Sequence, residues 1–320
     1  MLETLQSMDT VTLKFSQDSL LALNITIALI MFGVALGIKT EHFTRLIKKP
    51  RPIISGVISQ FVLLPALTFL ITIILRNLIT PTMALGMILV ASCPGGNISN
   101  FMSSLSKGNA ALSVSLTAIA TLSAVIMTPL NFALWGGWFM NIYESLNPGL
   151  LPRLKIDPLE MFKTVVLILG IPLVLGMYVN VKFKKFTESV TKPLKIFSIV
   201  AFLGMVIIMF RSNYDFFLQF IKYIFFLVLI HNVLAFATGF TFSSIMKVRP
   251  FDRRAITIET GIQNSALGLA LLFNPKIFPP ELMIGGMTVI VAWWGVWHII
   301  SGLITAGIWS RIPLKGGVAE

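Results

Sequence analysis

The apolar residues of this chain do not recur at the period of an amphipathic helix or a half-buried strand. They gather in blocks of about twenty, the length that crosses a bilayer core of about 30 Å. Only 12% of the residues are charged, against about 25% in a soluble domain, and neither end reads as one. The blocks predict an all-α polytopic membrane protein with nine transmembrane helices: Ser19–Ile38, Ile53–Leu75, Met83–Ser106, Asn109–Leu134, Met161–Val181, Leu194–Phe210, Phe216–Met246, Ala255–Phe273 and Leu282–Ser310. Tilt and broken helices accommodate their unequal lengths.

The first block reads as a retained span. It is too long for a signal h-region, lacks an Ala-x-Ala-like exit, and is followed by Lys39, Arg45, Lys48, Lys49 and Arg51. Nine spans put the termini on opposite sides. On that count 17 of the 25 basic residues fall on one side and 8 on the other. The positive-inside bias then places the N-terminus outside and the C-terminus in the cytoplasm, in a cell inner or plasma membrane. The net charge of +12 has the same origin. Its basic residues sit in short loops without the interleaved aromatics of a nucleic-acid surface, so no nucleic-acid partner is expected. Nothing calls for an obligatory protein partner either. The single cysteine, Cys93, builds no disulfide framework and reads as a small packing residue.

There is a trace of internal repetition. Lys49-Arg51-Pro52 precedes the second block and Lys247-Arg249-Pro250 the eighth, and the polar third block finds an echo in the eighth. Units one to four and six to nine would be inverted repeats, with a site at their interface.

Of the 13 acidic residues only Glu259 lies well inside an apolar block. A carboxylate at such depth costs about 2.5–3.5 kcal/mol on insertion scales, and faces a cavity, a partner or an ion. Around it runs Glu259-Thr260-Gly261-Ile262-Gln263-Asn264-Ser265. The third block has its own weak point, Cys93-Pro94-Gly95-Gly96-Asn97-Ile98-Ser99-Asn100. Proline and paired glycines break a helix there. A break inside a membrane frees backbone groups that only protein or a watery site can satisfy. It offers carbonyl oxygens from one half-helix and a positive N-terminus from the other. Such segments suit a hard cation and an anion together. The plain alternative is a proline kink held by interhelical hydrogen bonds, with the glutamate paired in the bundle.

The run Cys93-Pro94-Gly95-Gly96-x-x-Ser99-Asn100, then Lys107-Gly108-Asn109-x-Ala111-Leu112-Ser113, together with Glu259-x-Gly261-x-Gln263-Asn264-Ser265, closely resembles the bile acid:sodium symporter family. The resemblance extends over nearly the whole chain. It implies one transporter unit over 1–320. Its core domain, about 53–134 and 216–310, carries two crossed discontinuous helices; its panel domain is about 19–38 and 161–210. Carried over residue by residue, one sodium site falls on Ser99, Asn100, Ser113, Thr117 and Glu259. A second falls on Gln60, Glu259, Thr260, Ile262 and Gln263, with Thr260 and Ile262 acting through their carbonyls. The organic anion is expected at Asn97 and Asn264 with His298 facing it. Asn97 stands where many members carry threonine, and Ile299 where several bacterial members carry asparagine. His231-Asn232 also occurs in the family and reads as structural.

The function the resemblance implies is import of an organic anion, such as a bile acid, pantoate or a 2-oxo acid, coupled to two sodium ions by alternating access. The alternative is a proton-coupled or sodium-independent carrier with Glu259 as the proton site. An enzyme is not expected: the sequence has no His-Glu-x-x-His or Gly-x-Ser-x-Gly motif, and its one intramembrane acid lies among amides.

Overall fold

The computed structural model describes residues 17–38, 50–146, 157–212, 214–279 and 282–314, all helix and connecting turn apart from one isolated bridge. In chain order the helices are α1 (Gln17–Leu36), α2 (Pro50–Ile74), α3 (Pro81–Ser92), α4 (Ile98–Leu105), α5 (Ala110–Leu146), α6 (Pro158–Lys182), α7 (Lys184–Ser212), α8 (Tyr214–Ile245), α9 (Pro250–Gly261), α10 (Ser265–Leu272) and α11 (Gly285–Arg311).

The expected nine transmembrane helices are corrected by this architecture. Among the described residues, five helices are long and apolar enough to cross a membrane: Pro50–Ile74, Ala110–Leu146, Pro158–Lys182, Phe220–Ile245 and Gly285–Arg311. The main physical reason lies in the third and eighth apolar blocks. Each is cut in two, leaving α3 and α9 of 12 residues and α4 and α10 of 8. At 1.5 Å per residue these reach about 18 and 12 Å, well short of a 30 Å core. The first block folds as α1, a helix of 20 residues whose described apolar stretch is Ile25–Leu36. The sixth block lies within α7, where several side chains fall outside the described residues. Block length in sequence therefore overstated the number of uninterrupted crossings. What stands is an all-α polytopic membrane protein whose core contains two discontinuous helices.

Two of the broken helices' neighbours are themselves irregular. α2 widens into a π-helical turn over Ser59–Leu63, and α6 does so over Val166–Gly170. In each case a proline follows two residues later, Pro65 and Pro172. Proline lacks the N–H that a carbonyl four residues back would receive, and its ring crowds that carbonyl, so the helix opens locally. A third π turn, Phe132–Gly136, interrupts α5.

α1 packs against α6 and α7. The α1–α6 crossing is close because Gly176 has no side chain: a Cβ there would lie 2.6 Å from Ala35 Cβ and 2.7 Å from Phe32 O. Small residues let helices approach in this way where lipid supplies no hydrophobic drive. Asn180 Nδ2 donates to Ile38 O at the end of α1, 2.7 Å away. The remaining helices surround the broken ones. α9 packs on α8, α4, α5 and α2; α11 packs on α3, α10, α8 and α4. α9 and α10 together traverse the bundle, so Arg249 and Lys276 lie at opposite ends.

Candidate sodium and solute site

The two breaks meet. α3 stops at Ser92 because Pro94 cannot continue it, and Cys93 is already extended. α9 stops at Gly261, and Ile262 is extended. The two short segments run antiparallel and pair once, at Gly95 and Gln263. Gly96 N donates to Ile262 O at 2.7 Å and Asn264 N to Pro94 O at 2.8 Å. Backbone groups freed by one break are thus satisfied by the other, which permits irregular chain at membrane depth. Asn232 Nδ2 from α8 donates to Gly261 O at 2.8 Å, closing the end of α9. The close approach requires glycine at 95, where any Cβ would collide with the Glu259 carboxylate.

Glu259 is 1% exposed. Its carboxylate accepts from Ser99 and Ser113 on Oε2, the latter at 3.3 Å, and from Thr117 on Oε1 at 2.8 Å. The Thr117 hydroxyl also lies 3.0 Å from Ser113 O and 3.2 Å from Asn100 Oδ1. A hydroxyl has one proton to donate. Thr117 therefore cannot satisfy all three of its neighbouring acceptors at once. Among the described residues no salt bridge reaches Glu259: those present are Lys163–Glu160 and Arg249–Asp252. The partners of Glu259 are thus hydroxyls from neighbouring helices and not a cationic side chain. A carboxylate buried in this way is neutralised by a proton or by a bound cation.

Of the residues singled out in the sequence, Ser99, Asn100, Ser113, Thr117 and Glu259 come together in this cluster, drawn from α4, α5 and α9. Thr260, Ile262 and Gln263 lie at the adjoining break. Gln263 Nε2 donates to Thr260 O at 2.7 Å, while its Oε1 is buried with no hydrogen-bond partner. Gln60 sits 2% exposed in the π turn of α2, which packs on α9, and its Nε2 also lacks a partner. Oxygen atoms dominate both groups, a donor set suited to a hard monovalent or divalent ion and not to a soft one. Asn264 caps α10, its Oδ1 accepting from Leu267 N at 3.1 Å. Asn97 precedes α4, half-buried, and makes no capping bond. Both asparagines thus stand at helix N-termini, where partial positive charge favours an anion. His298 is buried on α11 with Nδ1 2.7 Å from Trp294 O; no hydrogen bond joins it to either asparagine.

Two structural residues escape a linear reading. Arg254 looks like one more loop cation but is 5% exposed and bonded to three helix-end carbonyls. Asn131, an amide in an apolar block, reaches α2. The doublet Arg253-Arg254 inside a helical run was the one signal for the former.

Discontinuous half-helices that meet at membrane depth around a buried carboxylate are an arrangement used by ion-coupled membrane transporters. Residues 24–220 match the model of the Sodium Bile acid symporter family, and the chain belongs to that family. It is a sodium-coupled transporter and not an enzyme. It is 32% identical over 292 residues to the "Uncharacterized sodium-dependent transporter YocS" of Bacillus subtilis (strain 168), covering 90% of this chain and 83% of that protein. It is 29% identical over 292 residues to the "Probable sodium/metabolite cotransporter BASS1, chloroplastic" of Arabidopsis thaliana, covering 89% and 66%. Against the human "Sodium/bile acid cotransporter 4" it is 26% identical over 259 residues, covering 80% of this chain and 56% of that one. The family match includes the first break; the second, with Glu259, lies beyond it and within the reach of the long alignments only by extent.

Proposed function

We propose that this protein imports a small organic anion, such as a bile acid, pantoate or a 2-oxo acid, together with two sodium ions, by alternating access across the plasma membrane. The observation that carries the reading is the buried Glu259 carboxylate, ringed by Ser99, Ser113 and Thr117 with Asn100 beyond, and without a cationic partner among the described residues. These five residues hold the first sodium. Glu259 is shared with the second, which takes Gln60, Gln263 and the carbonyls of Thr260 and Ile262. The unpartnered Gln263 Oε1 supports that assignment. The anion lies at Asn97 and Asn264, beside the N-termini of α4 and α10, with His298 facing it.

Alternating access needs two bodies. The packing of α1 on α6 and α7 supports a panel made of these three helices, moving against a core of the others. The bundle end that gathers Lys107, Lys247, Arg249, Arg254 and Arg311 is the cytoplasmic one, by the positive-inside bias. The same bias assigns the N-terminus to the outside and the C-terminus to the inside.

Two sodium ions with one monovalent anion carry one net charge inward. A tenfold sodium gradient supplies about 1.4 kcal/mol per ion, and 100 mV adds about 2.3 kcal/mol for the charge. The sum sustains an accumulation on the order of a thousandfold. Uptake of radiolabelled carboxylates into proteoliposomes tests this. Sodium outside should drive uptake and potassium should not. Uptake indifferent to that exchange, or driven by a pH gradient instead, would refute the sodium reading.

A further inference from the structure

Gln60 occupies an unusual place. Its side-chain Nε2 is buried with no hydrogen-bond partner, so no polar contact of that nitrogen holds it in place and the backbone that carries it matters the more. That backbone is the π turn Ser59–Leu63. The turn exists because Pro65 follows: it offers no N–H to the carbonyl of Phe61, four residues back, and its ring crowds that oxygen. A carbonyl deprived of its helical donor in an apolar bundle needs another. Asn131 supplies it. Its Nδ2 donates to Phe61 O at 2.9 Å, from α5. The amide is fixed at its other end too, since Oδ1 accepts from Trp135 Nε1 at 3.3 Å. Asn131 is 5% exposed and immediately precedes the π turn Phe132–Gly136. Reversing the amide would set carbonyl against carbonyl at Phe61, so the two contacts together fix its orientation.

We propose that Asn131 is a positioning residue for the second sodium site: its hydrogen bond to Phe61 O holds open the π turn that aims Gln60 at the break in α9. The inference rests on the assignment of Gln60 as a sodium ligand. Asn131 itself touches no ion. It acts as partners of ligand-bearing segments do, whose loss typically weakens metal affinity by about 10–100-fold.

The test is a sodium titration of the purified full-length protein in detergent, read by thermal shift, with sodium chloride exchanged for potassium chloride at constant ionic strength. Asn131→Leu keeps the volume and removes the donor. It should raise the sodium midpoint roughly 10-fold, as Gln60→Ala should, and the double variant should be no worse than Gln60→Ala alone. Pro65→Ala attacks the same turn from the other side. It returns an N–H to position 65, lets α2 close to a regular helix, and should shift the midpoint likewise even if Asn131→Leu proves too unstable to purify. A lower melting temperature with an unchanged midpoint in Asn131→Leu, or an unchanged midpoint in Pro65→Ala, overturns the inference while leaving the site intact. An unchanged midpoint in Gln60→Ala removes Gln60 from the site, and both ideas fall.

Discussion

The backbones of Gly95 and Gln263 form a single antiparallel bridge where the two broken helices cross. The contact places the Glu259 carboxylate, one turn before Gln263, in the space a side chain at 95 would fill. The bare backbone at 95 is therefore part of the shape of the proposed ion site and not only of its turn.

Gly95→Ala tests that relationship. The added methyl must displace the carboxylate from Ser99 and Thr117, and a misplaced ligand typically weakens metal binding by about 10-fold or more. Sodium-dependent thermal stabilisation should fall accordingly. Gly307→Ala is the control, since a Cβ there meets nothing within 4 Å; it should leave the sodium response alone. Equal responses in the two variants would sever Gly95 from the site.

Glu259→Gln keeps the shape of the side chain and removes its charge. The three hydroxyls around it can accept as well as donate, so the neutral amide remains bonded. In potassium the variant should melt at or above the parent, because an uncompensated buried charge has been removed. In sodium the stabilisation should vanish, and with it uptake. Gln263→Ala should only lower apparent sodium affinity, with residual uptake. A structural glutamate predicts the reverse for Glu259→Gln, a lower melting temperature in both salts with the sodium response retained.

The breaks were legible in the sequence because proline and glycine act locally: Pro94-Gly95-Gly96 ends α3 wherever the rest of the chain lies. Glu259 was legible as the lone acid inside an apolar block. The number of uninterrupted crossings was not, since composition measures how apolar a block is and not whether its backbone stays helical through residues such as Ile262 and Gln263. The π turns were hidden for a related reason. Pro65 announces a lost hydrogen bond, but whether the helix kinks or widens depends on a donor such as Asn131, remote in sequence. Arg254 cannot be told from the loop cations around it in sequence, because the helix-end carbonyls it binds belong to other segments.

Orientation is open to labelling. Lys185 and Lys247 lie at the end assigned to the cytoplasm, and Lys276 lies at the other. In intact cells an impermeant maleimide should label Lys276→Cys and spare Lys185→Cys and Lys247→Cys, all in a Cys93→Ala background. Cys93 is buried, so its replacement clears the background without opening the surface. The reverse pattern would invert the assignment.

Arg254 yields the last prediction. Its Nη1 donates to Ser106 O at 2.6 Å and Trp309 O at 2.9 Å, and its Nη2 to Ile312 O at 2.8 Å. Ser106 and Ile312 are the C-caps of α4 and α11, where unpaired carbonyls carry partial negative charge. The guanidinium thus pins two helix ends to α9, and it lies over the Trp309 ring at 5.5 Å. A planar fork reaches several acceptors at once, which an ammonium on a flexible stem does not. Arg254→Gln should cost about 2 kcal/mol of stability, the scale of a lost charge-assisted bond with an acceptor left buried, and Arg254→Lys should recover only part of it. The staple lies at the end of α4, about two turns from Ser99. Melting temperature should therefore fall equally in sodium and potassium while the sodium midpoint stays put. A selective loss of sodium affinity would instead make Arg254 part of the ion site's support.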